Sequence, residues 1–177
     1  MKVREIMTKQ VIPIAPTESV EVAARTLAQY NIGSLPVCGS DGTLCGVVTD
    51  RDLVTRCVAA GKIPGKTRVR EVMSSAVTCA QPDMEVGVAA HLMGRQQVRR
   101  LPVTENGRLC GMVSLADMAA REDSAMDAAD VLAEVSVNIS KSSNEALLYA
   151  KFILIILYPS YTSTLPVNLF LKIYARL

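Results

Sequence analysis

Tryptophan is absent, histidine occurs once and phenylalanine twice in this 177-residue chain. Around the single histidine, His91, no set of nucleophile, base and orienting group can be assembled, so the chain is not expected to be an enzyme. His91 aligns with Arg25 in an earlier helical segment and reads as an ordinary helix position. The five cysteines, Cys38, Cys45, Cys57, Cys79 and Cys110, lack any C-x-x-C spacing for zinc or redox chemistry. They read as buried thiols of a reducing cytoplasm, with Cys45 and Cys110 at equivalent core positions, and no metal site is expected. Long apolar runs are missing too. The longest, Phe152 to Tyr158, falls far short of the roughly 20 residues of a membrane span. The start, MKVREIMTKQ, has charges where a signal peptide needs an apolar core, so a soluble cytoplasmic protein without a membrane span is expected. Charge of one sign is also lacking. Residues 151–177 hold three basic residues and no acidic one, which leaves residues 1–150 with 16 basic against 17 acidic side chains. A nucleic-acid footprint needs clustered Lys and Arg, and none is evident.

What the chain has is a repeat. Val3-Arg4-Glu5-Ile6-Met7 returns as Val69-Arg70-Glu71-Val72-Met73, and the similarity continues for about fifty residues. Leu35-Pro36-Val37 answers Leu101-Pro102-Val103. Leu44-Cys45-Gly46-Val47-Val48-Thr49 answers Leu109-Cys110-Gly111-Met112-Val113-Ser114, and the turn Asp41-Gly42 answers Asn106-Gly107. Within the first copy a short apolar run at Val11–Ile14 predicts a strand. The helical spacing Val20, Ala23, Ala24, Leu27 follows it, then two apolar stretches joined by a turn whose residues tolerate positive φ. The spacing Leu53, Val54, Cys57, Val58 predicts a second helix, closing at Gly61. Each copy is thus strand–helix–strand–strand–helix. A unit this small needs its helix faces covered, so the copies are expected to pack together as one pseudo-two-fold α+β domain.

These residues resemble the paired CBS domain, or Bateman module, in which each copy is βαββα. The resemblance rests on VREIMT and VREVMS, the two Leu-Pro-Val strands, and G-x-x-T/S-x-x-D in both halves, and it spans about residues 1–122. The organisation it implies is one repeat at 1–62, a linker at 63–68 and a second repeat at 69–122. Beyond it, the apolar spacing Ala128, Val131, Leu132, Val135 reads as an amphipathic helix at 123–139. The tail at 140–177 does not match the family; a docking segment, a partner-binding tail and an out-of-frame or vector-derived extension would all have this composition, and the last is the favoured reading. Small stand-alone bacterial CBS-pair proteins are the nearest type.

The resemblance implies that the cleft between the copies binds an adenosine-containing molecule: AMP, ADP, ATP, S-adenosylmethionine or a cyclic dinucleotide. The ligand would be regulatory, with no cofactor required. Carried over position by position, Asp52 and Asp117 would take ribose hydroxyls, and Thr49 and Ser114 would help hold phosphate or ribose. A hydroxyl where a strand becomes a helix suits an anion, and a carboxylate can accept both bonds of a cis-diol. The same spacing is also an ordinary helix cap, worth about 1 kcal/mol. The residues before Leu-Pro differ between copies, Gly33-Ser34 against Arg99-Arg100. Either guanidinium could pair with phosphate, or both could be solvated charges guarding a strand edge. Ser34 could offer only a hydroxyl, and Ile12 and Thr78 are the candidate adenine neighbours. Two functions follow. One is a sensor whose nucleotide fixes the relative placement of the copies for a regulated partner. The other is a ligand-independent scaffold for homodimerisation, since family resemblance also implies that two pairs associate as a disk.

Overall fold

The computed structural model describes residues 1–121 and 129–132. In chain order the elements are α1 (Val3–Ile6), α2 (Val20–Tyr30), β1 (Ser34–Cys38), β2 (Leu44–Thr49) and α3 (Asp50–Asp52). The last of these runs straight into a π-helical turn, Leu53–Val58, and a 3-10 turn follows at Val69–Glu71. The second copy contributes α4 (Val86–Gln96), β3 (Arg100–Glu105), β4 (Arg108–Ser114) and α5 (Leu115–Ala119). The halves are built alike, and the chain is an α+β domain of two βαββα repeats related by pseudo-two-fold symmetry.

Sequence chemistry accounts for the elements. Ser19 accepts a bond from the Val22 amide at the start of α2 (3.2 Å), and both long helices end on a left-handed residue, Asn31 and Gln97. Val20, Ala23 and Leu27 bury one face of α2, and Val86, Ala89, Ala90 and Met93 that of α4. Gly61 closes the helix after β2 with φ +68°, as its position predicts. Asn106 and Gly107 both adopt positive φ in the β3–β4 turn.

The predicted first strand of each copy is narrower than the apolar runs suggest. It reduces to one parallel bridge, Ile14 to Val37 and Ala80 to Val103. Ile14 N–H donates to Pro36 C=O (2.9 Å) and its own C=O accepts from Cys38 N–H (3.0 Å), but Pro13 and Pro16 on either side have no N–H to extend the ladder. Of the helical spacing Leu53, Val54, Cys57, Val58, only Leu53 and Cys57 are buried. Val54 and Val58 are 58% and 60% exposed.

The repeat motif itself crosses over. Val3 and Ile6 lie in the core of the second copy with Met93, Leu101 and Val113, whereas Val69 and Val72 lie in that of the first with Leu35, Val37 and Val48. Backbone bonds repeat the exchange at matching places. Val3 N–H donates to Met84 C=O and Val69 N–H to Glu18 C=O, both at 2.9 Å. Thr8 and Met112 exchange two bonds, as do Ser74 and Val47, each of the four at 2.9 Å. Each sheet therefore runs from its own bridge residue through its hairpin to the other copy's arm. The hairpin tips also meet, Leu44 N–H donating to Gly107 C=O (3.1 Å) and Leu109 N–H to Gly42 C=O (3.2 Å).

Of the predicted helix at 123–139, residues 129–132 are helical, with Val131 buried in the core of the second copy. The rest of it and the tail at 140–177 lie outside the described residues.

Candidate functional site

Thr49 ends β2 and Ser114 ends β4, each with extended backbone, and each is the N-cap of the helix that follows. The reciprocal arrangement is the same in both copies. Asp52 N–H donates to Thr49 Oγ1 (3.1 Å), and Asp52 Oδ2 accepts from the Thr49 N–H (2.9 Å) and hydroxyl (2.7 Å). In the second copy the corresponding distances for Asp117 and Ser114 are 3.2, 2.8 and 2.7 Å. The cap reading is thus what the geometry shows, and it consumes one oxygen of each carboxylate. The other oxygen remains. Asp52 Oδ1 lies 3.4 Å from Arg56 Nη1, while Asp117 Oδ1 has no hydrogen-bond or ion-pair partner among the described residues.

Strand pairing brings further predicted residues to these ends. Ser34 pairs with Thr49, and Arg100 with Ser114. The Ile14 bridge is parallel, so the chain just before it runs beside the start of β1 and places Ile12 at the Ser34 end. The Ala80 bridge places Thr78 at the Arg100 end in the same way. Ile12 packs against the core of the first copy, and Thr78 is half-buried. Each half-site so gathers a hydroxyl, a carboxylate, a residue preceding Leu-Pro and one from the bridge segment.

Arg100 joins the two. A Cβ built on Gly33 would stand 3.6 Å from Arg100 Nη1 and 3.5 Å from Asp50 Oδ2, so the guanidinium of the second copy reaches over the glycine of the first. Arg99 is exposed, and its carbonyl accepts the Leu115 N–H (3.1 Å). Asp50 was not among the residues that the sequence singled out for this end. The positional equivalence of Asp50 with Leu115, beside that of Gly33-Ser34 with Arg99-Arg100, hinted that the half-sites would differ in charge. Arg56 was also missed. Its signal was the i, i+4 spacing from Asp52, repeated as Asp117 and Arg121.

A hollow of about 420 Å³ at the far end of β1 is lined by Pro13 to Thr17 and Cys38 to Ser40, without a charged side chain. All five cysteines are free, and burial, the leading cause in each case, pushes the Cys38, Cys79 and Cys110 thiols up. Among the described residues no three His, Cys, Asp or Glu side chains come together as a metal site, and no helix is long and apolar enough to cross a membrane.

The fold is that of a tandem CBS module. Residues 3–59 and 69–124 each match the CBS-domain family model, and the chain belongs to that family. It is 37% identical over 134 residues to the CBS domain-containing protein YhcV of Bacillus subtilis, covering 76% of this chain and 94% of that one. A crystal structure of hypoxic response protein I with two coordinated zinc ions matches with TM-score 0.64 at 33% identity, over 68% of this chain and 98% of that one. The CBS domain pair of protein MJ0100, in complex with 5′-methylthioadenosine and S-adenosyl-L-methionine, matches with TM-score 0.62 at 27% identity, over 68% and 98% of the two chains. The two repeats take up most of the described residues, and no catalytic domain stands among these.

Proposed function

We propose that this chain is a non-enzymatic sensor that binds an adenosine-containing molecule between its two CBS repeats. As a cytoplasmic homodimer, it passes the occupied state to a regulated protein. The observation that carries this reading is the twin capped carboxylate. Asp52 and Asp117 are each held by the cap through Oδ2, which leaves Oδ1 to accept sugar hydroxyls without loss of the cap. Cap and sugar site are therefore compatible uses of one side chain. Arg100, over Gly33, supplies the cation for a phosphate, and the adenosine-type ligands of the MJ0100 pair support the ligand class. Thr49, Ser114, Ser34, Arg99, Ile12 and Thr78 complete the proposed lining.

Calorimetric titration with AMP, ADP, ATP, S-adenosylmethionine and a cyclic dinucleotide tests it on the wild type, Asp52→Ala and Asp117→Ala. The expected outcome is binding by the wild type and its loss in at least one variant. No binding, or unchanged binding in both variants, removes the proposal.

Exposed Val54 and Val58 favour a second reading, a ligand-independent interaction scaffold. It requires a thermal stability indifferent to every nucleotide, whereas a ligand at one hundred times its Kd adds about 2.7 kcal/mol to the native state.

A further inference from the structure

The two half-sites are not equivalent in how they are tied to the rest of the molecule. Arg56 lies four residues beyond Asp52 on the π-helical turn Leu53–Val58, where Ala59 N–H reaches back to Val54 C=O (2.8 Å). Single π turns of this kind are frequent at functional sites. From there Arg56 Nη1 donates to Val72 C=O (2.8 Å) and to Ser74 Oγ (3.1 Å), both on the arm that leads into the second copy. The same nitrogen stands 3.4 Å from Asp52 Oδ1. Its two hydrogens are taken by the arm, so the approach to Asp52 is a longer charge contact. Since Oδ2 belongs to the cap, the one oxygen of Asp52 left for a sugar faces the guanidinium that holds the arm. In the second copy Arg121 occupies the equivalent position, but its side chain has no hydrogen bond or ion pair among the described residues.

We infer that Arg56 is a positioning residue that couples the first half-site to the Val69–Ser74 arm, so that sugar hydroxyls on Asp52 and the arm compete for its placement. This rests on the nucleotide-sensor reading above. The cap holds the carboxylate in place, so a hydroxyl seated on Asp52 Oδ1 takes the space that the guanidinium faces and displaces it, which loosens its hold on Val72 and Ser74. Linkage makes the effect reciprocal: the arm weakens the ligand at the first half-site by the factor with which the ligand loosens the arm. The arm is the covalent path between the copies, and it also fills the first core through Val69 and Val72. Occupation of the first half-site is thereby transmitted to the join between the copies, and occupation of the second is not.

Arg56→Met, which keeps the apolar stem and removes the donors, tests this by amide hydrogen exchange and titration. Without ligand, the Val72, Met73 and Ser74 amides exchange about fivefold or more faster in the variant than in the wild type. In an Asp117→Asn background that silences the second half-site, AMP or 5′-methylthioadenosine binds about fivefold or more tighter once Arg56 is replaced. Ligand then accelerates exchange of the arm in the protein that retains Arg56 and leaves the variant unchanged. Ser74→Ala, a milder removal of one acceptor, moves both readings in the same direction, and Arg121→Met moves neither. Equal exchange of the arm in the two ligand-free proteins overturns the coupling alone, as does equal or weaker binding by the variant. Absence of binding by the wild type overturns the sensor reading together with it.

Discussion

Asp117 shows how a cap can leave half of a carboxylate unengaged. Its Oδ2 accepts twice from Ser114, so the carboxylate is oriented before any ligand arrives, and Oδ1 is left over. Asparagine can keep the cap by placing its carbonyl oxygen at the Oδ2 position, which puts an NH₂ donor where the acceptor stood. Asp117→Asn is therefore expected to retain the wild-type unfolding midpoint in urea and to lose affinity for adenosine compounds in calorimetry. Asp117→Ala should lose both, with about 1 kcal/mol of stability gone with the cap. The spacing in the sequence offered the cap that the structure shows, the family resemblance offered a sugar contact, and the two stood as alternatives because a three-residue interval does not say which oxygen is used. Of the five thiols expected to be buried, only Cys38 and Cys57 are; Cys110 is half-buried against the second core, and that partial burial raises its pKa. A raised pKa lowers the thiolate fraction near neutral pH, so alkylation of the native protein by iodoacetamide at pH 7 should be much slower than that of the urea-unfolded chain.

The element that most repays attention is the exchanged arm. Gly46 and Gly111 sit mid-strand where each arm passes, and a Cβ at Gly46 would lie 2.5 Å from Ser74 O, a backbone atom. At Gly111 the nearest atom, 2.8 Å away, is the Sδ of the flexible Met7, with Thr8 O at 3.0 Å. Gly46→Ala should therefore cost more than Gly111→Ala, on the order of 1–3 kcal/mol against the lower end of that range, measured by chemical denaturation. The hairpins, the long helices and the Gly61 stop were legible from periodicity and turn chemistry. The arms were legible as a repeat but not as an exchange, since Val3 and Val69 have the same neighbours in sequence whichever copy they fill. The first bridge strand looked longer than it is because an apolar run signals burial, while Pro13 and Pro16 beside Ile14 decide how far the ladder extends.

For the whole molecule the exchange means that neither copy closes on its own. Deleting residues 1–8 removes Val3 and Ile6 from the second core and strips Met112 of its backbone partner Thr8. Hydrogen exchange on that deletion should show protection lost in β3, β4 and α4 and largely kept in β1 and β2, where the arm from residue 69 onward still stands. The opposite pattern, with loss confined to the first copy, would contradict the exchange of arms.

Residues 1–8 and the helical residues 129–132 both pack on the second copy, Val131 in the same core as Val3 and Ile6. Residues 1 and 132 are thus moored to one body. Dyes placed at these two positions would report on the second copy alone, and a probe of the placement of one copy against the other needs a label on the outer face of the first.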